Sequence, residues 1–211
     1  MGKANRPYLE MSMNLQQVTE IFKNGLQELD AMAKAAEHEV INSEAATLLV
    51  ANNVNFFTKS FLISACAHLE MCIKEIVSKL AEDIDVRLSI ASIPSSFIKW
   101  RLNPKLKVDF SGAENLIIGM TNKEIDDLVS GNVYKTKEAM AIVGVDLEIN
   151  KSEWEHWKEL IQNIVTRRNK IVHHNDDASD LSLGDVRAHI QSVIAYIEFI
   201  ESSCANRPAR Q

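Results

Sequence analysis

From Asn14 onward the apolar residues Leu15, Val18, Phe22, Leu29, Met32, Ala36 and Val40 recur at helical steps and mark one buried stripe. Asn14 with Gln17 has the form of a capping pair at its start. After a break near "INSEAA", the segment "NFFTKSFLISACAHLEMCIKEIVSKLAEDI" carries Leu62, Cys66, Leu69, Ile73, Ile76, Leu80 and Ile84 at the same period, which predicts a second helix of about thirty residues. Between Val86 and Thr121 the period fails. Pro94, Pro104, Gly112 and Gly119 punctuate that stretch, and "SIPSSFIKWRLNPKLKVDFSG" reads as short elements joined by turns.

Helical patterns return at "TNKEIDDLVSGN", where Thr121 and Glu124 match a capping box and Gly131 suits a C-terminal cap. A further helix is expected around "KTKEAMAIV", and "VGVDLEI" has the alternation of one short strand. The last two helices open with capping boxes at Ser152 to Glu155 and Ser182 to Asp185. Without repeats or a longer alternating run, the expected class is all-α, with long helices paired in a bundle.

Composition narrows this picture. A chain of 211 residues, 46% hydrophobic, can build one core, and seven glycines and four prolines leave room for long helices. The expected organisation is an N-terminal tail over 1–13, one helical domain over 14–204 with an insertion over roughly 86–150, and a C-terminal tail over 205–211. Cys66, Cys72 and Cys204 lack paired spacing and suit free thiols in a reducing compartment. No apolar leader and no membrane-spanning run is visible, so a cytoplasmic location without membrane attachment is expected. The net charge of -6 removes any general attraction to nucleic acid, and phosphate binding would need a local cluster.

One such cluster is "NIVTRRNKIVHHNDD", which packs Arg167, Arg168, Lys170, His173 and His174 into eight positions. The buried stripe of its helix is defined by Trp157, Leu160, Ile161, Ile164, Val165, Ile171 and Val172. Seven residues after Ile161 that stripe reaches Arg168, whose four-residue neighbours Ile164 and Val172 are apolar. A guanidinium there must snorkel to the edge, meet a buried carboxylate such as Glu70, or face a cleft where an anion binds. Asn169 and His173 share a face, so the amide is a candidate to orient the imidazole. His173 lies about 7 Å further along the axis and is rotated away from Arg168, so the two could converge on one phosphate near a helix end or across a second copy of the helix. An imidazole that moves protons and a guanidinium that holds phosphate suit RNA cleavage by its own 2′-hydroxyl, which requires no metal or other cofactor.

The six residues "RNKIVH", Arg168 to His173, resemble the R-x4-6-H signature of HEPN domains, with Asn169 as the polar residue after the arginine. "SFLISACAHLEMCIKEIV" resembles the long core helix of the RiboL-PSP type, and "WKELIQNIVTRRNKIVHH" with the helix after it resembles its C-terminal pair. Residues 86–150 are the least family-like part. The resemblance implies an all-α HEPN-like bundle that dimerises with both motifs facing one cleft and acts as a metal-independent endoribonuclease. Such domains are common in toxin-antitoxin and antiviral systems, so RNA and a cognate antitoxin or other defence protein are the implied partners. Arg168 and His173 would be catalytic, Asn169, Arg167, Lys170, His174 and Glu70 supporting. His174 stands where many relatives have a small residue, and Arg168 to His174 also satisfies the spacing.

Two other readings follow from the same residues. HEPN-like domains also serve as non-catalytic RNA- or nucleotide-binding or assembly modules, and the acidic net charge suits that role. "HHNDD" also places His173 and Asp177 at metal-ligand spacing, although a solvated helix end accounts for the acids equally well.

Overall fold

The computed structural model describes residues 6–42, 49–91, 93–102, 119–174 and 176–206, with side chains from Leu15 onward. Among these residues there are eight α-helices and no strand: α1 (Arg6–Ile41), α2 (Leu49–Asn52), α3 (Val54–Ala91), α4 (Ser95–Leu102), α5 (Asn122–Leu128), α6 (Val133–Ile142), α7 (Lys151–His174) and α8 (Leu183–Ala205). The chain is an all-α helical bundle, as its periodicity predicts.

The central element is α3, against which α1, α5, α6, α7 and α8 all pack. Its stripe is buried as expected: Leu62, Leu69, Ile73 and Ile76 are fully enclosed. Shortening one of these to alanine would cost ~2–5 kcal/mol through lost transfer energy and the cavity left behind. The helix is longer than its expected thirty residues, since it runs through Val86 to Ala91 before Pro94 opens α4. α1 approaches α3 closely at Gly25, where a Cβ would stand 3.0 Å from Nε2 of His68. Its stripe holds at Leu15, Val18, Leu29 and Ala36, but Met32 is 54% exposed and Ala33 takes its place inside. α1 also starts at Arg6, so Asn14 is an interior position of the helix and not its first.

Capping explains the starts of α5, α7 and α8. The Thr121–Glu124 and Ser182–Asp185 boxes form, each hydroxyl accepting from the N3 backbone N–H. At α7 the cap is Asn150, not Ser152: Asn150 accepts from the Glu153 N–H and returns its own amide N–H to that carboxylate at 2.9 Å. Glu155 pairs instead with Lys158. Gly131 does not end α5, which closes at Val129 in extended backbone; Gly131 packs against Val165 of α7 and Glu70 of α3.

The segment "VGVDLEI" is a turn, not a strand. Gly144 has φ 81°, the Val145 N–H donates to the Met140 carbonyl at 2.9 Å and the Gly144 N–H to Ala141 at 3.0 Å, which together make a Schellman close to α6. The alternation is nevertheless physical, because Val143, Val145 and Leu147 are each 1% exposed and belong to the main core. With Ile125, Val133, Ala139 and Met140 they give residues 120–147 a share of that core. The break near "INSEAA" and the turns over 103–118 lie largely outside the described residues.

Candidate active site

α7 runs antiparallel to α3. Val165 and Glu70 meet at Gly131, Arg168 is within electrostatic reach of Cys66, and Lys59 near the start of α3 is within electrostatic reach of Asp177 just beyond α7. The N-terminal part of the α7 stripe is closed: Trp154, Ile161, Ile164 and Val165 are all at most 4% exposed. Toward the C-terminus the core thins. Ile171 is still buried, but Val172, expected inside, is 46% exposed because the periodicity of the helix outruns the body it packs on. Arg168 stands at that transition.

Its guanidinium is only partly covered, and Nε is buried without a hydrogen-bond partner among the described residues. Nη1 donates to Oδ1 of Asn169 at 2.9 Å. Among the described residues no carboxylate lies within ion-pair distance of Arg168, so the pairing with Glu70 does not form; Glu70 instead binds Lys74 at 3.0 Å, and Lys74 also binds Asp126 at 2.9 Å. The nearby Cys66 thiol cannot serve as counter-ion, since burial pushes it up to about 12 despite the opposing pull of Arg168. Leaving a buried guanidinium N–H unsatisfied costs about 1–3 kcal/mol.

Arg167, one position earlier, is held quite differently. It donates to Asp176 at 3.0 Å and pairs with Asp180, tying α7 to the loop before α8. That loop is built tightly: Asp176 accepts from the Ala178 N–H at 2.8 Å, Asp177 from Ser179 at 3.2 Å, and Ala178 sits at φ 54° with its side chain buried. The Asp177 carboxyl is held below its usual range first by the backbone N–H and hydroxyl of Ser179 and, to a smaller degree, by Lys59 and Arg167. Asp176 and Asp177 thus serve the loop, and among the described residues no three of His, Cys, Asp and Glu gather in a way that could hold a metal ion.

His173 and His174 occupy the last turn of α7, both exposed, with Lys170 exposed one turn earlier. Asn169 turns toward Arg168, not toward His173, because the adjacent guanidinium offers a charged donor. The structure therefore brings Arg168 and Asn169 together, places His173 and His174 at the open helix end, and gives Glu70 to Lys74. Lys59 was not legible as a neighbour of this end, since nothing in local spacing connects it to a loop more than a hundred residues away.

A model of the RiboL-PSP-HEPN family matches residues 28–206, which takes in α3, α5 to α8 and the whole RNKIVH segment. The chain belongs to the RiboL-PSP-HEPN family. The matched range spans residues 86–150, within which α5, α6 and the turn after them supply core positions. HEPN domains are often ribonucleases, and membership supports an RNA-related role. No curated protein and no solved structure matches this HEPN chain. No helix among its described residues is long and apolar enough to cross a membrane.

Proposed function

We propose that this HEPN protein is a metal-independent endoribonuclease that works in the cytoplasm as a homodimer, as a toxin or antiviral-defence effector restrained by an antitoxin or another defence protein. The observation that carries this reading is Arg168: a guanidinium on a core-facing stripe, without a carboxylate among the described residues, one turn and a half before exposed imidazoles.

In the proposed reaction His173 takes the proton of a 2′-hydroxyl, the 2′-oxygen attacks the adjacent phosphorus, and the bond from phosphorus to the 5′-oxygen breaks. The departing oxygen receives a proton from a second imidazole, leaving a 2′,3′-cyclic phosphate and a 5′-hydroxyl. Arg168, with one edge fixed by Asn169, directs its remaining N–H groups at the non-bridging oxygens, where negative charge grows. Such a donor contributes roughly 10²–10³ in rate, and the imidazole roughly 10²–10⁴.

Five residues of helix separate Arg168 from His173 by a rotation of about 140°, so one chain does not aim both at one phosphate. Two-fold pairing of the α7 ends supplies the missing convergence, and Val172 at 46% and Phe56 at 66% exposed give this end apolar surface for a partner to cover. In this reading Lys170 and His174, both exposed, add phosphate contacts, whereas Arg167 supports the site by holding the loop.

The second reading, a non-catalytic RNA- or nucleotide-binding or assembly module, is favoured by the net charge of -6 and by Asn169 leaving His173 without its amide. Incubating the purified protein with RNA in excess chelator separates the two. Cleavage with 2′,3′-cyclic phosphate ends is expected; activity that vanishes with chelator and returns with a divalent ion contradicts the proposal, and binding without cleavage favours the module.

A further inference from the structure

α4 differs from every other long element of the chain. None of its residues is buried and none belongs to the hydrophobic core among the described residues. Its sequence, SSFIKWRL, nevertheless contains two large aromatics, and both are open to solvent: Phe97 is 55% and Trp100 51% exposed. Their ring centroids lie 6.3 Å apart with the planes inclined at 40°. Residues 97, 100 and 101 fall within about 100° of one another around a helix, so Arg101 joins the two rings on one face. Lys99 and Arg101 are exposed, and among the described residues neither has an ion-pair partner, unlike Arg87, which binds Asp83 at 2.5 Å.

The charge pattern of the sequence on either side of α4 is equally distinct. From Val86 to Val108 the sequence has five Lys and Arg residues and no Asp or Glu, in a chain where acids exceed bases by 29 to 23. Aromatic faces interleaved with cations suit a polyanion whose units can stack, which is the chemistry of single-stranded nucleic acid. A bilayer fits less well. The helix has only two turns, and Arg101 falls inside the arc that runs from Trp100 through Phe97 to Ile98 and Leu102, so the apolar face is interrupted by a cation and is poorly suited to burial in lipid.

We propose that α4 is a binding surface for single-stranded RNA, remote from the α7 motif, in which bases stack on Phe97 and Trp100 while Lys99 and Arg101 hold the flanking phosphates. The inference rests on the reading of this chain as a protein that acts on RNA. Along α3, Cys66 beside Arg168 and Ala91 before α4 are separated by about 37 Å of helix, so α4 would anchor a strand well away from the scissile phosphate.

The test uses a fluorescent 2′-O-methyl oligonucleotide without secondary structure, bound to the full chain. Because this probe has no 2′-hydroxyl to attack, the result does not depend on whether the protein is a nuclease, and the chelator experiment above tests that reading separately. Phe97→Ala with Trp100→Ala is expected to weaken binding about tenfold or more while the melting temperature stays unchanged, since neither ring is in the core. Lys99→Gln with Arg101→Gln is expected to weaken binding and to flatten the dependence of log affinity on log salt by about 1.4, because two phosphates are no longer neutralised. The proposal is overturned if the wild-type chain does not bind the probe or if both double variants bind as tightly as wild type. It is also overturned if phosphatidylserine vesicles, and not RNA, change the tryptophan emission of the wild-type chain and that change is lost in Trp100→Phe, or if the aromatic variant changes the oligomeric state.

Discussion

The seam between α1 and α8 and the seam between α3 and α7 each hold an arginine, and the two are treated in opposite ways. Arg187 of α8 donates to Asp30 at 3.1 Å and to Glu37 at 2.9 Å, so its guanidinium is met by two carboxylates from the facing helix. Arg168 of α7 faces α3 with an unsatisfied Nε, one amide from its own neighbour and, among the described residues, no acid. Arg167, although its Nε is likewise buried without a partner among the described residues, follows the pattern of Arg187 in its carboxylates, Asp176 and Asp180, so the absence of an acid and not the bare Nε sets Arg168 apart. Where an arginine holds this fold together the chain supplies carboxylates beside it. Arg168 is the exception expected of a group whose anion arrives with a ligand.

This contrast is most sharply broken by replacing each arginine with methionine, which keeps the apolar stem and removes the charge. Arg168→Met is expected to lower cleavage by roughly 10²–10³ while the melting temperature stays level or rises, because an imperfectly solvated charge leaves the stripe. A clear loss of stability together with unchanged cleavage would show that Arg168 belongs with Arg187 as a structural residue. Next in size, His173→Ala is expected to remove roughly 10² or more of the rate, and His174→Ala less. Both imidazoles are exposed, so neither change should alter thermal unfolding, and a larger effect at His174 would reassign the base.

On the other side of the comparison, Arg187→Met leaves Asp30 and Glu37 facing each other without their shared cation. A melting temperature lower by several degrees is expected, with cleavage per folded molecule unchanged; lost cleavage at full stability would mean that the α1–α8 seam reaches the site. The smallest effect is expected for Ser182→Ala, about 1 kcal/mol in denaturant unfolding, through loss of the cap that starts α8. A change indistinguishable from zero would show that the Asp185 half of that box suffices.

What was legible in the sequence was what local chemistry determines. The stripe of α3 and the caps at Thr121 and Ser182 follow from residues within one or two turns. The α7 cap is ambiguous in sequence because Asn150 to Glu153 and Ser152 to Glu155 both fit the same four-residue pattern, and only the fold selects the first. At "VGVDLEI" the alternation of buried and exposed residues is real, but a strand needs a partner to pair with, and local sequence cannot supply one. Val172 departs from expectation for a related reason, since a periodic stripe does not record where the opposing surface stops.

The site shows the same division. Arg168 stands out because periodicity puts a charge where only apolar side chains belong. Its separation from Glu70 is partly readable as well, since Lys74 lies four residues beyond Glu70 and competes for it within the same helix. The turn of Asn169 toward Arg168 and the clasp of Arg167 on the following loop depend on rotamers and on loop closure, which spacing does not specify.

Whether Arg168 and His173 act on one phosphate from opposite subunits is decided most directly by a mixed dimer. Co-expressing differently tagged Arg168→Ala and His173→Ala chains and purifying that dimer leaves one intact arginine and one intact histidine, on different chains. Cleavage by the mixed dimer clearly above either mutant homodimer is the predicted result. A strictly monomeric protein at working concentration, or a verified mixed dimer no more active than the mutant homodimers, would contradict it.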